Sequence, residues 1–299
     1  MVRLRCWLRA LFLMAMGLFW FPGAMADLND GLVAYYPFKG NANDESGNGL
    51  NGTVNGATLT KDRFGNPNNA YYFDGKGFIN LGHSSLFDVN YHTITAWVKG
   101  EDLHLNRPNV IIGKVIPGVH EAIMLSLKKN RLSTNFATGT EINHELVGSF
   151  EFKSDRWYFV ALTYDGQAAT LYVDGNVDSR FPRTGTVRIN TKNLAIGRHS
   201  GEDALSQSGH EFFFHGSIDE VRIYKRALIK SEIQQLSQKK NQQEEPPKEC
   251  WAVYENGSLH IPCIKVIGPF GDELHYEAYL QYEALSEPMT FQVTGAKPK

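Results

Sequence analysis

The chain has 299 residues, 42% of them hydrophobic, with 30 Lys plus Arg against 32 Asp plus Glu and a formal net charge of −2. That balance, with no basic cluster of the kind that neutralises phosphates, argues against nucleic acid as the main partner.

The N-terminus reads as a leader. Arg3, Arg5 and Arg9 surround a charged start, an apolar run extends from Ala10 to Phe21, and Ala24-Met25-Ala26 puts small residues where a signal peptidase reads. The pattern predicts a signal peptide over residues 1–26, cleavage before Asp27, and a secreted, extracellular or periplasmic mature protein. As a membrane anchor the run is too short, and Cys6 does not sit in a lipoprotein-type position. The leader removes three of the 30 basic residues, leaving 27 against 32 acidic ones and a net charge near −5. No later apolar run is long enough to span a membrane.

From Asp27 to Leu236 the periodicity is mostly two. Thr93–Val98, Trp157–Thr163, Thr170–Val173 and Ile218–Tyr224 alternate as strands do, and Asp74-Gly75, Asp165-Gly166 and Asp174-Gly175 fall between runs where tight hairpin turns need positive φ. Many short strands with this turn chemistry predict an antiparallel sandwich or barrel. Two facing sheets are expected to bury Trp97, Trp157, Phe159, Leu171, Val173, Ile196, Val221 and Ile223. A short helix is expected over Lys230–Leu236, with Ile229, Ile233 and Leu236 docking on the sandwich edge.

Residues 237–249, SQKKNQQEEPPKE, form a linker by composition. Beyond it, residues 250–299 read as a small β-rich domain: strands over Cys250–Tyr254 and Leu259–Cys263 across a turn at Asn256-Gly257, and a further one over Tyr276–Tyr282. Cys250 and Cys263, an even pair in an exported chain, predict a disulfide contributing about 3 kcal/mol in the chain-entropy model.

Phe214-His215-Gly216-Ser217-Ile218-Asp219-Glu220-Val221-Arg222-Ile223-Tyr224-Lys225-Arg226-Ala227-Leu228 resembles the closing strand of laminin-G-like jelly rolls. With Trp157–Gly166 and Leu171–Gly175, in the expected order, it covers most of the pattern of the concanavalin-like LamG family. The resemblance implies an all-β fold, a two-sheet antiparallel jelly-roll sandwich over residues 27–236. It also implies an oxygen-rich loop, Asn41–Gly49, that suits Ca2+, with Asp44, Asn48 and Asp219 as candidate metal ligands. The chain departs from many members at Phe38-Lys39-Gly40, where Lys39 replaces an Asp.

Hydrolases of this fold place Glu-x-Asp-x-x-Glu on one strand, so that alternation points two carboxylates into one cleft. Here Ser217 stands where the first Glu is required, and Glu220, adjacent to Asp219, is expected on the opposite strand face. His210 and His215 are five apart, not the four of a zinc-protease helix, and no Gly-x-Ser-x-Gly elbow is present. The expected function is a non-catalytic binding module, calcium-stabilised, for carbohydrate or an extracellular protein. The alternatives are a glycan hydrolase using another acidic pair and a structural surface or matrix protein. Tyr35, Tyr36, Phe78, Tyr91, Phe212, Phe213 and Trp251 are available to a ligand or to the core. The polar connections Glu101–Asn109, Thr138–Gly148 and His199–Gly209 offer recognition surface without naming a ligand.

Overall fold

The computed structural model describes residues 27–238 except 104–106, 117–119, 136, 140–144 and 200–211, and beyond them the backbone of 253–255, 258–267, 273–282 and 291–298. Contacts divide the chain into two units, Met1–Gln238 and Lys239–Lys299. The leader, residues 239–249 of the linker expected over 237–249, Cys250, Trp251 and the turn at Asn256-Gly257 lie outside the described residues, and so does the expected disulfide.

In the first unit the strands begin with β1 (Leu32–Tyr36), β2 (Thr53–Asn55), β3 (Thr58–Thr60), β4 (Ala70–Asp74), β5 (Phe78–Gly82), β6 (His92–Gly100), β7 (Asn109–Ile116) and β8 (His120–Lys128). They continue with β9 (Arg131–Asn135), β10 (Leu146–Val147), β11 (Trp157–Tyr164), β12 (Ala168–Val173), β13 (Asn176–Pro182), β14 (Leu194–Ile196) and β15 (His215–Tyr224), followed by α1 (Lys230–Ser237). One sheet runs β13-β12-β11-β6-β15-β4-β3, with β1 pairing the second half of β15, and the other runs β10-β9-β8-β7-β14-β5-β2. All strand pairs are antiparallel, and the two sheets form the expected jelly-roll sandwich. Between the sheets lie Ile94, Ala96, Val98, Val160, Leu162 and Leu171 from one side and Ile79, Leu81, Leu125, Leu132 and Ile196 from the other.

Three residues expected between the sheets lie elsewhere. Tyr158, Val160 and Leu162 of β11 are the inward set, so alternation turns Trp157 and Phe159 outward, and Trp97 faces out beside them on β6. The aromatic content misleads here because the outer face is itself covered. Leu228, Ile233 and Leu236 pack on Phe159, Ala161, Tyr172 and Tyr224, with Leu28, Leu32 and Trp97 at the margin, and make a second apolar layer. The helix therefore docks on a sheet face and not on an edge. Ile229 stays 61% exposed and Leu228 takes the expected place. Glu232 fixes the helix start, accepting from the Ile229 N–H at 2.8 Å and from both Arg226 terminal nitrogens at 2.9 and 2.7 Å.

The second unit contains a four-stranded antiparallel sheet, β16 (Val253–Glu255), β17 (Ser258–Ile267), β18 (Glu273–Tyr282) and β19 (Phe291–Pro298), in sequence order. Cys263 falls at a register break of β17 between Ile261 and Ile264.

Candidate functional site

Backbone pairing sets outward side chains of the eight-stranded sheet in rows. Tyr72 of β4 pairs with Ser217 of β15, Ser217 with Lys99 of β6, and Lys99 with Trp157 of β11. Their chain neighbours Tyr71, Phe73, Val98, Tyr158 and Ile218 belong to the core between the sheets. The four therefore face outward together, in a row about 14 Å long at the usual strand spacing. Ser217 forms the buried floor, whereas Tyr72, Lys99 and Trp157 are partly exposed.

The loop after β3 walls this row on one side. Asp62 clamps it: one carboxylate oxygen accepts from the Phe64 and Asn66 N–H groups at 2.8 and 2.9 Å, the other from the Asn66 side-chain amide at 2.8 Å. The clamp holds the Arg63 guanidinium between Phe64 and Trp97, 4.2 and 4.4 Å from the ring centroids, where it donates to Asp219 Oδ2 at 2.9 Å. Between loop and row runs an open groove of about 640 Å³ lined by Thr60, Lys61, Arg63, Asn68, Lys99 and Trp157. On the other side His215 stands between two carboxylates, Nδ1 at 2.9 Å from Asp102 and Nε2 at 3.2 Å from Glu101. The Tyr72 hydroxyl lies 3.2 Å from Nε2 and 3.3 Å from Glu101 Oε2. Burial and the Glu101 charge raise the Tyr72 pKa, which keeps this hydroxyl a proton donor.

Beneath the wall the closing strand departs from simple alternation. Glu220 has φ 53°, and the register slips between Asp219 and Arg222, a β-bulge that brings both onto the outer face. Glu220 was expected on the face opposite Asp219; the bulge instead turns its carboxylate to the same side, where Oε1 accepts from the Tyr35 hydroxyl at 2.9 Å and Oε2 pairs with Arg222. Arg222 lies 3.9 Å over the Tyr35 ring. Burial and the Glu220 charge push Asp219 up to about 8 against the pull of Arg63. Burial also raises Glu220, but Arg222, the Tyr35 hydroxyl and Arg63 together outweigh it and hold that group below the usual carboxylate range.

The three candidate calcium ligands are each engaged with protein partners. Asp44 Oδ1 accepts from the Tyr35 and Ser46 N–H groups at 2.9 Å each, and Oδ2 from Ser46 Oγ at 2.9 Å and the Leu50 N–H at 3.0 Å. Asn48 turns its amide nitrogen to the Val33 carbonyl at 2.9 Å. Asp219 already faces a guanidinium. As a set these residues do not fit a shared Ca2+, which requires oxygens converging on one point; in this arrangement Asp44 is a loop clamp and Arg63 supplies the cation beside Asp219. Asp44→Ala should therefore cost about 2–3 kcal/mol by orphaning three part-buried N–H groups, and the melting temperature should fall equally in calcium and in chelator. Burial raises the Asp44 pKa, but the three N–H donors outweigh it and hold the group low. Its contribution is thus complete above the ordinary Asp range and is lost as pH falls through the lowered value. A calcium-dependent melting temperature that Asp44→Ala abolishes would return the ion to this loop.

Of the aromatics singled out in the sequence, those among the described residues do not line the groove. Tyr36 is buried with its hydroxyl on the Leu50 carbonyl, Phe78 and Phe213 flank Arg198 at 4.9 and 5.0 Å, and Phe212 packs by Val110 and Met124. Tyr91 is exposed elsewhere. Of the polar connections, the one after β6 supplies Glu101 and Asp102. Trp157 was assigned to the core and Tyr72 was not singled out; the usable signal was Lys99, a charged residue opposite Trp157 where the apolar alternation of β6 ends.

Residues 73–234 match the family model described as the concanavalin A-like lectin/glucanases superfamily (Laminin_G_3), over more than half of the chain. The chain belongs to this superfamily. Among solved structures, this superfamily member is similar to domain 4 of AbnA, a GH43 extracellular arabinanase from Geobacillus stearothermophilus, in complex with arabinotriose. The two are 22% identical with a TM-score of 0.53, over 69% of this chain and 98% of that one. It is also similar to the binding domain of Paraclostridial Mosquitocidal Protein 1, at 16% identity and a TM-score of 0.55 over 89% and 68% of the two chains. The receptor binding domain of botulinum neurotoxin C/D mosaic serotype gives 13% and 0.53 over 90% and 70%. At these identities the likeness is one of fold. No curated protein sequence matches the chain. Among the described residues, no helix is long and apolar enough to cross a membrane.

Proposed function

We propose that the protein is an exported, non-catalytic carbohydrate-binding module whose ligand lies along the row from Tyr72 to Trp157. The observation that carries this reading is the row itself, two partly exposed aromatic residues about 14 Å apart along the sheet with Ser217 and Lys99 between them. Aromatic faces stack on the apolar faces of sugar rings, and the polar groups between them fix hydroxyls. Retaining hydrolysis needs two carboxyls about 5 Å apart across the scissile bond. Here Asp62, Glu101, Asp102 and Asp219 are each bound to a neighbouring donor or cation, which favours binding over turnover.

The test is a polysaccharide panel that includes arabinan, chosen because the AbnA domain is bound to arabinotriose. Trp157→Ala or Tyr72→Ala should weaken the best ligand by about tenfold with the far-ultraviolet spectrum unchanged. Equal binding by both variants would remove the row from the account. Release of reducing ends by the wild type would make the protein a hydrolase.

A further inference from the structure

Resting on the carbohydrate reading of the groove, we infer that its ligand is an acidic saccharide and that Lys99 is the residue that takes its negative charge. The acids around the groove are committed within the protein. Both Asp62 oxygens accept from its own loop, Asp219 binds Arg63, and Glu101 and Asp102 flank His215. The basic groups are not all committed in return. Arg63 faces Asp219 and the His215 imidazole lies between its two carboxylates, but among the described residues the Lys99 ammonium makes no ion pair or hydrogen bond. That ammonium lies instead over the Trp157 ring, with Nζ 5.9 Å from the centroid. Lys61, on the groove wall, is exposed and likewise has no acidic partner among the described residues.

An ammonium poised beside an aromatic platform is half of a recognition unit. A sugar ring stacked on Trp157 would bring an equatorial substituent over Lys99, and a carboxylate or sulfate there would complete a charge-assisted hydrogen bond. Lys61 on the same groove would add longer-range attraction, screened over a Debye length of about 8 Å at physiological salt. A neutral sugar would leave the Lys99 charge unanswered next to a half-buried ring. The shared chemistry is an anionic group on a pyranose, from a uronic acid or a sulfate ester.

The experiment compares binding of the full chain to polygalacturonate, to fully methyl-esterified polygalacturonate, which keeps the backbone and masks the charge, and to a sulfated galactan beside its desulfated form. Lys99→Gln, Trp157→Ala and a distant control, Lys225→Gln, are run alongside. The wild type should prefer a charged polymer over its neutral counterpart by about tenfold or more. Lys99→Gln should bring the ratio of charged- to neutral-polymer affinity to about one, and Lys225→Gln should leave that ratio at the wild-type value. Preference for polygalacturonate identifies a uronate, and preference for the sulfated galactan alone identifies a sulfate ester. Equal binding to charged and neutral forms, or a charge preference that survives Lys99→Gln, overturns the inference and leaves the carbohydrate reading standing. Binding to none of these or of the neutral panel overturns both.

Discussion

Arg63→Met should destabilise the protein by about 3 kcal/mol near pH 6, and by about 4–5 kcal/mol at pH 9. The first part is the loss of the 2.9 Å bond to Asp219 and of the cation held between Phe64 and Trp97. The pH dependence follows from Asp219, which burial and Glu220 push up to about 8 while Arg63 draws it down. An acid raised in this way holds its proton more tightly folded than unfolded, so its favourable contribution is complete below the ordinary Asp range and declines as pH rises toward 8. Above that point the wild type ionises Asp219 against Arg63, whereas the variant must keep the proton or bury a bare charge. Its deficit therefore widens from pH 8 upward. Urea unfolding at pH 6, 7.5 and 9 measures this directly. A deficit that stays flat would mean that Asp219 does not change its protonation state across this range. The double variant Arg63→Met, Asp219→Leu should recover most of the loss, because an apolar pair of similar volume replaces a buried hydrogen-bonded polar pair at little cost.

Gly216→Ala should cost about 3–4 kcal/mol or more and weaken glycan binding in whatever fraction remains folded. Gly216 has φ +134°, a conformation that L side chains rarely adopt, and a Cβ there would come within 2.1 Å of the Lys99 carbonyl oxygen and 3.0 Å of the Gly100 Cα. Those contacts are backbone, so no rotamer change relieves them, and β15 must move away from β6. The displaced residues include His215 and Ser217, two members of the site. Gly65→Ala is the comparison, since its φ of +89° is also strained but nothing lies within 4 Å of the added carbon; about 1 kcal/mol is expected. Equal melting temperatures for the two variants would contradict the close approach of β15 to β6.

The fold was legible because it is written in local chemistry. Alternation over Thr93–Val98 and Ile218–Tyr224, Asp-Gly turns and the order of three motif segments all point to one sandwich, and the helix at Lys230 carries its own apolar spacing. The site was less legible, because it depends on which face each strand presents. Trp157 looks like core when read by its hydrophobicity, and only its register against Lys99 shows that it faces outward. The bulge at Glu220 reverses the facing that strict alternation assigns and gathers Asp219, Glu220 and Arg222 on one side, and nothing in the residue types announces a positive φ at a glutamate. Asp44 was noticed for its oxygens, but whether a carboxylate answers a cation or a set of N–H groups depends on where Tyr35, Ser46 and Leu50 point, which is a tertiary matter.

The most direct test is hydroxyl-radical footprinting, read by mass spectrometry residue by residue, with and without a saturating amount of the best polysaccharide from the panel. Tyr72 and Trp157 should become protected together, whereas Tyr91 and Phe150, 49% and 39% exposed at other places on the surface, should oxidise at unchanged rates. Protection of Tyr91 or Phe150 with Trp157 unaffected would contradict the placement of the ligand on the outer face of the eight-stranded sheet.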